Sequence, residues 1–211
     1  MMNYLYPEIP WNKIKVVGFD LDGTLYDEFE FISQVYHAIA KKFGKGKKEK
    51  AIFNFMLSRW LEKGSSYPFI FDETLEKLKV NRKLREEYIN IALSTFRNFK
   101  PKITLSERKR FVLSELKKKY KLFLLSNGST VLQWNKIGAL KLENYFDKKN
   151  ICVSGDYGKD FEKPALLSLG TISVLKNKVK GSEVVYIGDR DVDEKFAANA
   201  GFHYLMIQNK I

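Results

Sequence analysis

The sequence predicts an α/β fold, a Rossmann-like parallel sheet flanked by helices, with an all-helical segment inserted into it. Three observations carry this prediction. An apolar run from Lys15 to Phe19 leads into two aspartates one residue apart, within V-V-G-F-D-L-D-G-T. After Asp27 the pattern turns to helical periodicity, with no convincing strand before the region of Lys121. From Ile103 onward helical and strand-like segments alternate, which calls for a parallel sheet covered on both faces.

In order, Lys15 to Phe19 reads as a strand buried on both faces, so Asp20 and Asp22 fall at its carboxyl end, the ligand crevice of an open parallel sheet. Two carboxylates there repel each other unless a cation lies between them, and a hard ion such as Mg²⁺ is the usual answer. Phe29, Ile32, Val35, Tyr36, Ile39, Ala40 and Phe43 give one apolar helix face ending near Gly44 and Gly46. A second helix is expected from about Lys48 to Leu61, closed by Gly64, Ser65, Ser66 and Pro68, and two more over Asp72 to Leu78 and Arg82 to Phe96. Pro101 ends this zone. Then follow a helix capped by Thr104 or Ser106 and running to Tyr120, a strand at Leu122 to Leu125, a turn and helix from Gly128 to Leu140, and a strand at Ile151 to Val153. Pro164 suits the first turn of a further helix, Val184 to Ile187 a strand, Val192 to Ala200 a helix, and His203 to Ile207 a last strand. The division expected is a core of residues 1–26 and 101–211 and a helical cap of residues 27–100.

Composition bounds the class. The 211 residues, 45% hydrophobic and 29% charged, suit a globular chain with one substantial core and an appendage. No apolar run reaches the roughly 18 residues of a membrane span. Met1 to Trp11 lacks the basic start and apolar centre of a secretory signal, and the single Cys152 suits a reducing cytoplasm. The net charge of +12 raises the question of nucleic acid, with Lys41 to Lys50 and Lys117 to Lys121 as the runs to consider. The lysines are scattered and arginine is the minor partner in these runs, so a solvated basic surface that attracts small anions is the preferred reading. Oligomeric state is not readable.

The strand ends are where chemistry should gather. Leu122 to Leu125 runs into Ser126-Asn127-Gly128, where a hydroxyl and turn amides can hold a phosphoryl oxygen. Val184 to Ile187 runs into Gly188-Asp189-Arg190-Asp191-Val192-Asp193-Glu194, an acidic cluster that supports a metal, although a helix N-terminus also favours acids. Between them lies Glu162-Lys163-Pro164, whose lysine can neutralise a phosphate and a nucleophile beside it.

The ordered set D-L-D-G-T at Asp20 to Thr24, S-N-G at Ser126 to Gly128, K-P at Lys163 to Pro164 and G-D-R-D-V-D at Gly188 to Asp193 resembles the haloacid dehalogenase-like hydrolase superfamily over the whole chain. The helical insertion after the first motif resembles the cap of its phosphoglycolate phosphatase-like branch. The resemblance implies Asp20 as the nucleophile that forms an aspartyl-phosphate, and Asp22 as the acid/base. It implies Ser126 as the phosphoryl-binding hydroxyl, joined by Asn127, Gly23 and Thr24, with Lys163 as the balancing ammonium. The implied metal set is Asp20, Asp189, Asp193 and the Asp22 backbone carbonyl, with Mg²⁺ as the cofactor. The second aspartate favours phosphate esters over halides, whose departure needs no proton. The expectation is therefore a phosphatase of a small phosphorylated metabolite with a cap that closes over it. A phosphotransferase or mutase on the same core stays open, and a nucleic-acid-binding protein is the third reading.

Some residues depart from the pattern or invite other readings. The run from Ser154 to Lys163 is longer than the family's usual S-x-x-x-G-x-x-K-P, and Lys159 shares the loop; Lys163 is preferred because Pro164 follows it. Arg190 stands where serine is common, and Asp191 has no assigned role beyond solvation or capping. His37 and His203 read as packed or surface side chains. Tyr67, Phe69 and Phe71 read as cap packing before pocket lining, and Tyr26 and Glu28 as candidates to gate the site.

Overall fold

The computed structural model describes residues 5–176 and 179–207, so the first four residues of the Met1–Trp11 stretch lie outside it. Five strands form one parallel sheet: β1 (Val16–Phe19), β2 (Lys121–Ser126), β3 (Ile151–Val153), β4 (Val184–Gly188) and β5 (His203–Met206). Their order is β3-β2-β1-β4-β5. β1 pairs with β2 on one side and β4 on the other, with Phe19 level with Leu124 and Ile187. The chain thus leaves β1 in one direction and later returns to its other side, which makes the carboxyl end of β1 a topological switch point. Asp20 is the next residue, and its N–H donates to the Ile187 carbonyl at 2.9 Å.

Every residue of β1 and β4 is buried, as expected of strands covered on both faces. The core around them joins Val16, Phe123, Leu125, Cys152, Ile172, Val184, Tyr186, Phe196 and Ala197. Gly18 lets Phe123 lie against the β1 backbone, since a Cβ there would fall 2.1 Å from Phe123 Cζ. Three α-helices serve the sheet: α5 (Glu107–Lys119), α6 (Thr130–Ala139) and α7 (Asp191–Ala200). Of the two proposed caps for α5 it is Ser106 that acts, accepting from Lys109 N at 3.3 Å.

The helix anticipated from Pro164 does not form. That stretch consists of short 3₁₀ turns, Leu167–Thr171 and Ser173–Leu175. Gly170 and the β-branched Thr171, Ile172 and Val174 are weak helix formers, and the chain instead sends Ile172 fully into the core.

The contacts divide the chain into two units, one made of the described residues up to Asp27 and from Ile103 onward, the other of Glu28–Lys102. The second consists of α1 (Glu28–Phe43), α2 (Lys47–Lys63), α3 (Ile70–Lys77) and α4 (Arg82–Arg97). On α1, Phe31, Ile32, Val35, Tyr36, Ile39, Ala40 and Phe43 form one buried face, packed against α2 and α4. Asn81 caps α4 by accepting from Lys83 N at 3.0 Å. Phe71 packs against Tyr36 and Phe96, whereas Phe69, at the outward-facing start of α3, is exposed. Among the described residues no helix is long and apolar enough to cross a membrane.

Candidate active site

The carboxyl ends of β1, β2 and β4 bring three of the sequence motifs together, and the loop after β3 brings the fourth. Lys163, 4% exposed, is the hub. Its Nζ donates to Asp20 Oδ1 at 2.5 Å, to Asp193 Oδ1 at 2.5 Å and to the Tyr186 hydroxyl at 3.0 Å. The Tyr186 hydroxyl in turn donates to the Leu125 carbonyl at 3.2 Å. Burial pushes the Lys163 ammonium down, but Asp20, Tyr186 and Asp193 outweigh it and hold the group well above its ordinary range. Lys159 lies in a short 3₁₀ turn, Lys159–Phe161, and is exposed.

Asp20, Asp189 and Asp193 each offer a carboxylate oxygen within 4.8 Å of the others, so these three can hold a metal ion. Burial pushes the Asp20 carboxyl up to about 7, with Asp193 and Asp22 adding to the rise and Lys163 opposing it. Burial likewise raises Asp189. Asp193 accepts from Arg190 N at 3.2 Å through its other oxygen, a capping contact at the start of α7. The turn after β1 is shaped to admit Asp189: Gly23 has φ +76°, and a Cβ on it would lie 2.2 Å from Asp189 Oδ2.

Asp22 faces different neighbours. Its Oδ1 accepts from Lys136 Nζ at 2.7 Å and from the Tyr26 hydroxyl, and its Oδ2 accepts from Gln133 Nε2 at 2.8 Å. Burial pushes this carboxyl up, and the Lys136 ammonium with the bonds from Gln133, Lys136 and Tyr26 reverses the effect, so it sits below its ordinary value. The Asp22 side chain therefore stands outside the acidic triad.

Two residues expected to contact phosphate are otherwise engaged. Thr24 is fully buried and its hydroxyl donates to Asp189 Oδ1 at 3.2 Å, so it orients a carboxylate. The Asn127 side chain accepts from Lys163 N at 2.8 Å and donates to the Lys163 carbonyl at 3.1 Å, clamping the loop that carries the lysine. Short polar side chains serve such backbone clamps well, which is why they recur in turns. Ser126 is buried at the end of β2 with its Oγ accepting from Gln133 Nε2 at 2.6 Å. Tyr26 is buried, with its hydroxyl donating to Asp22. Glu28 accepts from the Ser65 hydroxyl at 2.6 Å within the helical unit. His37 stacks edge-on with Phe53, and His203 meets the Ser182 carbonyl at 3.2 Å.

Sequence reasoning missed Gln133, Lys136 and Tyr186. Tyr186 is hidden in an ordinary apolar strand, but Gln133 and Lys136 carry a signal. With Leu132 and Ile137 they make up the buried face of α6, so they are polar residues at positions where periodicity demands apolar ones.

The model of haloacid dehalogenase-like hydrolases matches residues 17–207. The chain belongs to this family. The glyceraldehyde 3-phosphate phosphatase of Methanocaldococcus jannaschii is 29% identical to this hydrolase, over 89% of the chain and 82% of the relative. The human N-acylneuraminate-9-phosphatase is also 29% identical, over 94% of the chain and 84% of the relative. A haloacid dehalogenase-superfamily hydrolase of subfamily IA from Geobacter sulfurreducens shares the fold, with a TM-score of 0.68 at 23% identity, covering 92% of this chain and 87% of that one.

Proposed function

We propose that this hydrolase is a Mg²⁺-dependent phosphatase that hydrolyses a small phosphorylated metabolite through an aspartyl-phosphate on Asp20. The observation that carries the reading is the division of labour between two aspartates one residue apart, Asp20 on Lys163 and the acidic triad, Asp22 on Lys136 and Gln133. The relatives named above act, by name, on a triose phosphate and a sugar-acid phosphate, which supports a phosphorylated carbohydrate as the substrate class.

The donor set fits a hard cation. Asp20, Asp189 and Asp193 offer only oxygen, with the Lys163 ammonium on Asp20 and Asp193 and the Arg190 guanidinium 3.7 Å from Asp189. Bound there, Mg²⁺ draws charge from the phosphoryl oxygens. The rest is done by the chain. An Asp20 carboxylate oxygen attacks phosphorus and the bond to the leaving oxygen breaks. Asp22 gives that oxygen its proton. Asp22 then takes a proton from water as the water attacks phosphorus, and the bond to Asp20 breaks to release phosphate. The charge of an arriving phosphoryl dianion opposes the ionisation of Asp22, which readies it as the acid. Lys163 and the Ser126 hydroxyl hold the phosphoryl oxygens, a task of positioning and charge. A cytoplasmic location belongs to the same reading, since the buried Cys152 thiol stays reduced there.

The test is phosphate release from a panel of phosphorylated carbohydrates. With Mg²⁺ the protein turns over at least one of them, chelation stops it, and Asp20→Asn retains less than about one part in 10⁴ of the rate. Unchanged release by Asp20→Asn, or none by the wild type on any member, refutes the reading. A new sugar phosphate in place of free phosphate identifies a transferase.

A further inference from the structure

We propose that Gln133 and Lys136 are a positioning pair that sets Asp22 for proton transfer and turns the Ser126 hydroxyl toward the phosphoryl group. The proposal rests on the phosphatase reading. The two residues are 1% and 3% exposed on the buried face of α6. An amide and an ammonium so deeply buried are costly unless they meet partners, and their partners are the site itself. Lys136 Nζ donates to Asp22 Oδ1 at 2.7 Å, and Gln133 Nε2 donates to Asp22 Oδ2 at 2.8 Å. Each carboxylate oxygen has its own donor, which fixes the plane of the group as well as its place.

The orientation of the Gln133 amide follows from what surrounds it. Its nitrogen lies 2.8 Å from Asp22 Oδ2 and 3.0 Å from the Asn127 carbonyl oxygen, both of which only accept. An amide nitrogen donates and does not accept, so Ser126 Oγ, 2.6 Å from it, is an acceptor too; the two N–H groups are shared among the three oxygens, and the Ser126 proton is left to point away from Gln133. Gln133 Oε1 is buried with no hydrogen-bond partner among the described residues. The amide forgoes one bond at that end, and the contacts of its nitrogen are what offset the loss. Gln133 thereby links the proton donor on the first motif to the phosphoryl-binding hydroxyl on the second.

The consequence depends on the leaving group. When the bond from phosphorus to an alkoxide breaks, the oxygen must receive the Asp22 proton, so a carboxyl turned off line slows the step. When the leaving group is acetate, no proton is required. The quantity to measure is kcat/KM, which reports formation of the aspartyl-phosphate and not its later hydrolysis. With Mg²⁺, Lys136→Met lowers kcat/KM about 100-fold for an alkyl phosphate such as glyceraldehyde 3-phosphate and less than about fivefold for acetyl phosphate. In an Asp22→Asn background the same change costs the alkyl phosphate nothing further, and this double variant, free of both buried charges, keeps the test readable if Lys136→Met alone fails to fold. Gln133→Met in addition weakens competitive inhibition by inorganic phosphate about 10-fold, because Ser126 loses its fixed donor. Equal losses on both substrates, an additive loss in the Asp22→Asn background, or unchanged phosphate inhibition overturns the pair. A wild-type protein inactive on both substrates overturns the phosphatase reading instead.

Discussion

Asp20 and Asp22 lie on either side of Leu21, yet their carboxyls are pushed in opposite directions. Burial carries Asp20 from its ordinary 3.8 up to about 7, whereas Asp22, half-buried, is drawn below 3.8 by Lys136, Gln133 and Tyr26. The signs give separate pH windows. An acid whose value is raised by folding stabilises the fold fully below the unfolded value and loses that contribution as pH rises through the folded one, so the Asp20 contribution fades between 3.8 and about 7. Asp22 contributes above 3.8 and loses its share as pH falls through its depressed value. In chelator, the Tm of the wild type relative to Asp20→Asn therefore declines across the first window. Added Mg²⁺ displaces the Asp20 proton, so its affinity rises with pH up to about 7 and then levels off. Parallel melting curves for the two proteins, or a flat Mg²⁺ affinity, would show that Asp20 does not titrate there.

At the scale of elements, the site is held by two close approaches that substitution can separate. In the turn after β1, Gly23→Ala adds a Cβ 2.2 Å from Asp189 Oδ2 at φ +76°. The backbone strain costs about 1–2 kcal/mol, and the displaced Asp189 lowers Mg²⁺ affinity about 10-fold or more. Within β1, Gly18→Val drives its Cβ toward Phe123, 2.1 Å away, and costs about 1–3 kcal/mol of stability in the sheet core. Metal titration and chemical denaturation of both variants check the contrast: the first loses metal binding out of proportion to stability, and the second loses stability first. The strands, the four helices after Asp27 and the strand-end carboxylates Asp20 and Asp189 were legible because burial periodicity and strand-end chemistry are local signals, whereas Ser126 and Lys163 stood out only through the resemblance of the ordered motifs. The helix expected from Pro164 was not, since Ile172 answers to the core and not to its neighbours in sequence. Thr24 and Asn127 were legible as site residues, but the grip of their side chains on Asp189 and the Lys163 backbone was not, because it depends on contacts far along the chain. Lys136 escaped for a related reason: an isolated lysine reads as solvated until the helix face it occupies is compared with Leu132 and Ile137.

For the whole molecule, the net charge of +12 has a role that does not require nucleic acid. The lysine-rich stretch 41–50 lies at the junction of α1 and α2, and the stretch 117–121 at the end of α5, and most of their side chains are exposed. Such groups add little to stability, because exposed charges are screened over about 10 Å at 0.1 M salt. Their summed field nonetheless acts on a substrate that carries two negative charges, raising its encounter rate with a basic protein. The effect belongs to encounter and not to chemistry, so it falls on kcat/KM. Raising ionic strength from about 10 to about 200 mM lowers kcat/KM for a phosphomonoester severalfold and leaves kcat in place. Replacing Lys47, Lys48 and Lys50 together by Gln weakens the salt dependence without altering kcat, since these side chains sit on an exposed helix end, outside the acidic triad and the Asp22 contacts. Steady-state kinetics over a salt series decides the point: a kcat/KM indifferent to ionic strength would leave the basic surface without a part in catalysis, and a matching fall in kcat would place the charge effect inside the site.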